Sequence, residues 1–126
     1  MRFMMLVKVN GDKNYEAGVP PPPALMAAIG KLAQEAVQRG AMIDMGGLLP
    51  SSKGARVRVS RGRVTVIDGP FTEAKELVGG YAIMQAKSKE EAIEMGKEFM
   101  GVHLSALGPE YEGELEIRQL EAPPDQ

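Results

Sequence analysis

The sequence predicts an α+β fold, and three observations carry that prediction. Strand-like runs occur at residues 3–9, at 41–45, on both sides of Arg61-Gly62, at GGYAIMQA and at ELEIRQL. Two other stretches, 24–39 and 89–100, instead space their apolar residues by three and four, the helical period. The two patterns follow one another as β-α-β, a hairpin, a short excursion, then β-α-β. That order suggests a ferredoxin-like subunit with an inserted β-hairpin, its helices on one face of a mainly antiparallel sheet. At 126 residues and 44% apolar content the chain supports one core, so we expect a single domain over 1–120 and a flexible tail over 121–126.

The first strand places Phe3, Met5 and Val7 on one face and Met4, Leu6 and Lys8 on the other. Asn10-Gly11 and the prolines 20–23 make the next segment a loop with an extended approach. In the first helix Leu25, Ile29, Leu32 and Ala36 form the packing stripe, and Gly40 is the expected C-cap. The following strand alternates until Gly46-Gly47, where a bulge or a close backbone approach is expected. The stretch 57–86 organises the rest: a hairpin turning at Arg61-Gly62, a stop at Gly69-Pro70, a short TEAKE segment, and GGYAIMQA, apolar on both faces and so central. Ser88-Lys89-Glu90-Glu91 is a capping box that starts the second helix. GVHLSALGPEYEGE reads as irregular, and ELEIRQL closes the fold. Met4, Leu6, Met42, Ala82, Met84 and Leu120 appear together on the sheet face the helices leave bare, so a homodimer is the expected cover.

Composition narrows the partners. The net charge of -2, with both signs dispersed, argues against nucleic acid. No run approaches the roughly 20 apolar residues that span a bilayer, so no membrane role is expected. The absence of cysteine removes thiolate chemistry and disulfides and fits a cytoplasmic setting.

DGPFTEAKE, at 68–76, resembles the DGPF branch of the YCII-related family, whose typical string is DGPFAETKE. LLPSSKGARVRVS and EIRQL look like the same branch, and the resemblance runs from Met1 to about Leu120. It implies that the ferredoxin-like subunits form a dimeric α+β barrel. Function across the branch is mostly unassigned. Relatives in the wider family are thought to act as small enzymes through a His-Asp pair, and some branch members are associated with sigma factors of the extracytoplasmic-function type. The wider family's histidine falls near the start of the first helix, and 23–29 contains none here. Where the branch commonly reads GEGLHP this chain has MGGLLP, so Gly46 replaces the usual Glu and Leu49 the usual His, with Asp44 the carboxylate left on that strand to compensate. FMGVH stands where the branch often has Cys-Pro.

The candidate chemistry is sparse. Asp68, Gly69, Pro70, Phe71 and Thr72 read first as a structural turn, with Asp68 accepting the Phe71 amide, Phe71 inserted in the core and Thr72 capping TEAKE. Their functional alternative puts Asp68, Glu73 and Lys75 in a cleft as acid, base and electrostatic clamp. His103 is the single imidazole and the best general base at neutral pH; with Asp68 as orienting carboxylate it forms the candidate catalytic pair, although a structural histidine is the plainer reading. Asp44, Tyr81 and Arg118 are candidate ligand-binding residues, the polar points of an apolar cavity that Gly46-Gly47 and Gly79-Gly80 hollow out of the sheet. Arg56, Arg58, Arg61 and Arg63 form a basic ribbon, read as a solvated hairpin edge before an anion site. No metal motif or nucleotide-binding glycine pattern occurs, and neither a metal nor a cofactor is expected. Two functions remain: a dimeric small-ligand-binding or regulatory protein, and a small cytoplasmic enzyme using Asp/His acid-base chemistry on a modest organic substrate.

Overall fold

The computed structural model describes residues 1–9, 13–71 and 77–122. In chain order the elements are β1 (Arg2–Lys8), α1 (Lys13–Glu16), α2 (Pro23–Gln38), β2 (Met42–Gly47), a 3-10 turn (Ser51–Lys53), β3 (Ala55–Ser60), β4 (Arg63–Asp68), β5 (Val78–Gln85), α3 (Lys89–Leu107) and β6 (Glu114–Gln119). Four strands form an antiparallel sheet in the order β2-β5-β1-β6, and β3 with β4 forms a separate two-stranded sheet.

The local chemistry accounts for each boundary. Proline at the first position starts α2, where its missing amide has no partner to lose. Gly40, at φ 75°, ends that helix, with its amide on Val37 O and that of Ala41 on Ala36 O, a Schellman arrangement that reverses the chain into β2. Ser88 Oγ accepts the Glu91 amide at 3.1 Å and opens α3. Arg61 and Gly62, at φ 53° and 73°, make the two-residue turn whose twist matches the strands of the hairpin. Helix α3 runs through Gly101 to Leu107, so GVHLSAL is helical rather than irregular. A single interior glycine costs only about 1 kcal/mol of helix propensity, which packing against the sheet readily outweighs. Gly96 shows that packing: a Cβ there would stand 2.9 Å from Ile117 Cδ1, so its absence lets α3 lie close on β6.

The core lies between the helices and one face of the four-stranded sheet. Phe3, Met5, Ala36, Ala41, Met84, Ala86 and Ala92 are buried together, with Met42, Ala82, Met95, Leu115 and Ile117 packed around them. This corrects the expected architecture. Met42, Ala82 and Met84 belong to the helix-covered face, since Phe3 pairs with Met84, Met5 with Ala82 and Met42 with Met84 in register. The opposite face carries Met4, Leu6, Tyr81 and Ile83 interspersed with Asp44, Glu116 and Arg118, a mixed surface instead of the apolar one that called for a second subunit. The fold is therefore α+β with two small, separate, open sheets and three helices among the described residues. Neither sheet closes, and nothing in the structure forms the dimeric α+β barrel or the homodimer expected of a ferredoxin-like subunit.

Candidate ligand-binding site

A cavity of about 750 Å³ opens beside that core, between α2, α3 and the four-stranded sheet. Its origin is a shortage of side-chain volume on both sides. On the sheet, Gly47 pairs with Gly80 and Met45 with Ala82, and a Cβ built on Gly47 would meet nothing within 4 Å. Opposite them α2 presents Ala33 and Ala36. Methionines supply much of the remaining wall, namely Met5, Met26, Met42, Met45, Met84 and Met95, and their flexible thioethers conform to occupants of irregular shape. A space of this size with mostly apolar walls lies in the usual range for small organic ligands.

His103 supplies the imidazole in that wall. It lies on α3, 7% exposed, with its ring 4.7 Å from that of Phe99 and 5.8 Å from that of Tyr111. Its Nδ1 donates to Phe99 O at 2.9 Å, and a carbonyl can only accept, so the neutral ring carries its proton on Nδ1. Nε2 then holds a lone pair and, among the described residues, has no hydrogen-bond partner. Lys8, Arg39, Glu98 and Glu112 are the charged residues at the margin, and Lys8 Nζ lies 3.4 Å from Glu116 Oε1. Contact with Lys8 and Arg118 holds the Glu116 carboxyl below its ordinary pKa, the Arg118 hydrogen bond contributing most.

One end of the cavity is bordered by α1 and the prolines behind it. Tyr15 Oη donates to Leu48 O at 2.7 Å, with Leu49 O at 2.9 Å, while its ring covers Gly79, where a Cβ would approach Tyr15 Cε2 to 3.3 Å. Burial, with the neighbouring Glu16 charge, raises the Tyr15 pKa. Glu16 grips the 3-10 turn with both oxygens: Oε1 accepts the Ser51 amide at 2.9 Å and Oε2 the Ser51 hydroxyl. These bonds, the hydroxyl first, hold the Glu16 carboxyl below its ordinary pKa. Ser51 Oγ in turn accepts the Phe71 amide at 3.0 Å. Gly69 makes that junction possible, because a Cβ there would fall 1.7 Å from Ser51 O.

A YCII-related domain matches residues 1–100 of the chain. The protein belongs to the YCII-related family. An uncharacterised protein of Rhizobium meliloti (strain 1021) is 27% identical over 96 residues, spanning 76% of this chain and 73% of that one. Among solved structures, 5-chloro-2-hydroxyhydroquinone dehydrochlorinase from Burkholderia phenoliruptrix AC1100, in complex with 2,5-dihydroxybenzoquinone, covers 98% of this chain and 96% of its own at 14% identity and a TM-score of 0.41. In this YCII-related protein the cavity is formed by residues of α2, α3 and the four-stranded sheet, with α1 at one end.

The residues singled out by the sequence divide among three places. His103 borders the cavity; Tyr81 touches it from β5 while its hydroxyl lies with Asp44 on the opposite sheet face, and Asp44, Asp68 and Arg118 do not line it. The Tyr81 hydroxyl donates to Asp44 Oδ2 at 3.1 Å, a contact that raises the Tyr81 pKa. The bulge that brings them together falls between Met42 and Asp44 and turns Met42 toward the helices and Asp44 to the other face, while Gly46-Gly47 shows the other expected feature, a close backbone approach, with a Cβ on Gly80 falling 3.2 Å from Gly46 O. Gly46 lies beneath the Tyr81 ring, where a Cβ would be 2.9 Å from Cε1, so the ring fills the space a side chain at 46 would need. Arg118 is exposed on β6 and pairs with Glu116 at 3.2 Å. Asp68 is exposed at the end of β4, on the other sheet from the helix-borne His103, and the two are not brought together. The Phe71 amide goes to Ser51 instead of Asp68, and the Phe71 ring is half-buried under the Arg56 guanidinium at 4.0 Å rather than inserted in the core. Thr72, Glu73 and Lys75 lie outside the described residues. Tyr15, Glu16 and Ser51 went unnoticed in the sequence because their partners lie more than 30 positions away, with no local spacing to mark them. Among the described residues no cluster of potential metal ligands occurs, and no helix is long and apolar enough to cross a membrane.

Proposed function

We propose that the protein binds a small organic molecule in the cavity between α2, α3 and the four-stranded sheet, and that within the YCII-related family it belongs to the DGPF branch. The branch assignment rests on the DGPFTEAKE string, and a cytoplasmic setting on the cysteine-free composition. The observation that carries the binding reading is the space itself: small residues face one another across it, on Gly47, Gly80 and Ala82 of the sheet and Ala33 and Ala36 of the helix. An open hollow of this size with mostly apolar lining is the usual form of a small-molecule site.

Acid-base chemistry on the occupant is the second reading. It is favoured by His103, whose Nδ1 bond to Phe99 O leaves Nε2 as a proton acceptor in the cavity wall. Asp68 does not serve as the orienting carboxylate in this reading; the Phe99 carbonyl fixes the ring instead.

Uptake of the neutral dye Nile red tests the binding reading. The parent should enhance its fluorescence saturably, and Ala33→Phe and Ala82→Phe, which fill the space from the helix and from the sheet, should each weaken binding at least about tenfold. Dye binding unaffected by both substitutions, in variants that remain folded, would place the dye elsewhere and remove the support for an occupied cavity.

A further inference from the structure

We infer that His103 Nε2 selects the occupant: the cavity takes an uncharged molecule with an apolar body and one hydroxyl group, which donates its hydrogen bond to that nitrogen. This rests on the proposed binding function and names the ligand class for the same cavity.

Three features lead to it. First, the tautomer is set by the backbone of α3. Nδ1 donates to Phe99 O within α3, and the ring is flanked by Phe99 and Tyr111, so it meets an occupant as an acceptor. A ligand whose only polar group is a carbonyl or an ether has nothing to donate, and it would set its lone pairs against that of Nε2. Second, the wall elsewhere is mostly apolar. Met5, Leu25, Met84 and Leu115 have no polar group to replace the water a ligand sheds, so a further polar group set against them goes uncompensated. Third, the charges at the margin do not favour an anion. Lys8 is engaged with Glu116, Arg39 shares its surface with Glu91, Glu94 and Glu98, and Glu112 adds a carboxylate beside Tyr111. An ionised carboxylic acid would leave water without a dedicated cation to receive it.

A site built to hydrogen-bond a ligand hydroxyl discriminates against analogues that lack one, since its own polar atom is then left unpaired. A net hydrogen bond of the usual strength corresponds to roughly fivefold to tenfold in affinity.

The test compares 2-naphthol, naphthalene and 2-naphthoate by titration calorimetry. These share one rigid apolar frame and differ in carrying a hydroxyl, nothing or a carboxylate. In the parent, 2-naphthol should bind about fivefold to tenfold more tightly than naphthalene, with 2-naphthoate weakest. His103→Phe keeps an aromatic ring at the position and removes the accepting nitrogen, so 2-naphthol should fall to within about twofold of naphthalene while naphthalene binding persists. His103→Gln retains an acceptor and should recover part of the preference. Equal affinity of the parent for 2-naphthol and naphthalene, or preference for 2-naphthoate, would overturn the selectivity while leaving the cavity as a binding site. Failure of all three to bind, together with loss of the Nile red response, would overturn the binding reading itself.

Discussion

The two sheets are made of similar material and come to opposite ends. Both use short antiparallel strands rich in apolar residues, but one face of the β2-β5-β1-β6 sheet is roofed by α2 and α3, whereas the valines of the hairpin face solvent. Val57 pairs with Val66 and Val59 with Val64 on a single face, each at least 67% exposed. Phe3, on the central strand β1, is 2% exposed. What separates the two is whether a helix is connected so as to fold back over the strand. A strand's alternation fixes which residues share a face, and the connections decide whether that face becomes a core.

Paired truncations sharpen that contrast and should show the largest effect. Phe3→Ala removes a buried aromatic ring and should lower stability by about 3–5 kcal/mol. Val59→Ala, on the uncovered face of the hairpin, should change it by less than about 0.5 kcal/mol. Denaturant midpoints measured on both variants with unchanged slopes give the comparison directly. Comparable losses would mean that the valine face is covered in solution.

A smaller effect is expected where the sheets are joined, at the Glu16-Ser51-Phe71 junction. The folded pKa of Glu16 lies below its unfolded value because the ionised carboxylate accepts both Ser51 bonds. Its contribution is therefore present in full above the ordinary carboxylate range and is lost as pH falls through the depressed folded value. The stability difference between parent and Glu16→Gln should be constant near neutrality and vanish on acidification below that range. A difference that grows in acid would mean that some other group titrates at this junction.

Much of the framework was legible in the sequence because its signals are local. Gly40 as C-cap, the Ser88 cap and the Arg61-Gly62 turn each depend on a few neighbouring residues, and each occurs where the pattern puts it. What could not be read depends on register or on distant partners. The shift between Met42 and Asp44 moved Met42 to the helix face, and with it went part of the case for an apolar back face and a second subunit. His103 was expected in a loop because Gly101 and Gly108 bracket it, yet the first of these is carried within α3 and only Gly108, at φ 93°, ends the helix. The hollow was foreseeable from the paired glycines. Its facing wall was not, since Ala33 and Ala36 look like ordinary helix formers until α2 is laid over the sheet.

The methionines allow the central claim to be tested within one molecule. Of the nine, Met5, Met26, Met42, Met45, Met84 and Met95 border the cavity, and Met1, Met4 and Met100 do not. With ¹³C-labelled methionine and valine methyl groups, titration with 2-naphthol should shift the cavity methionine signals saturably, those of Met5 and Met84 among them. Met4, Met100 and the hairpin valines should stay in place. Shifts at Val57, Val59, Val64 and Val66 with the cavity methionines unmoved would contradict the account and put the binding surface on the uncovered sheet.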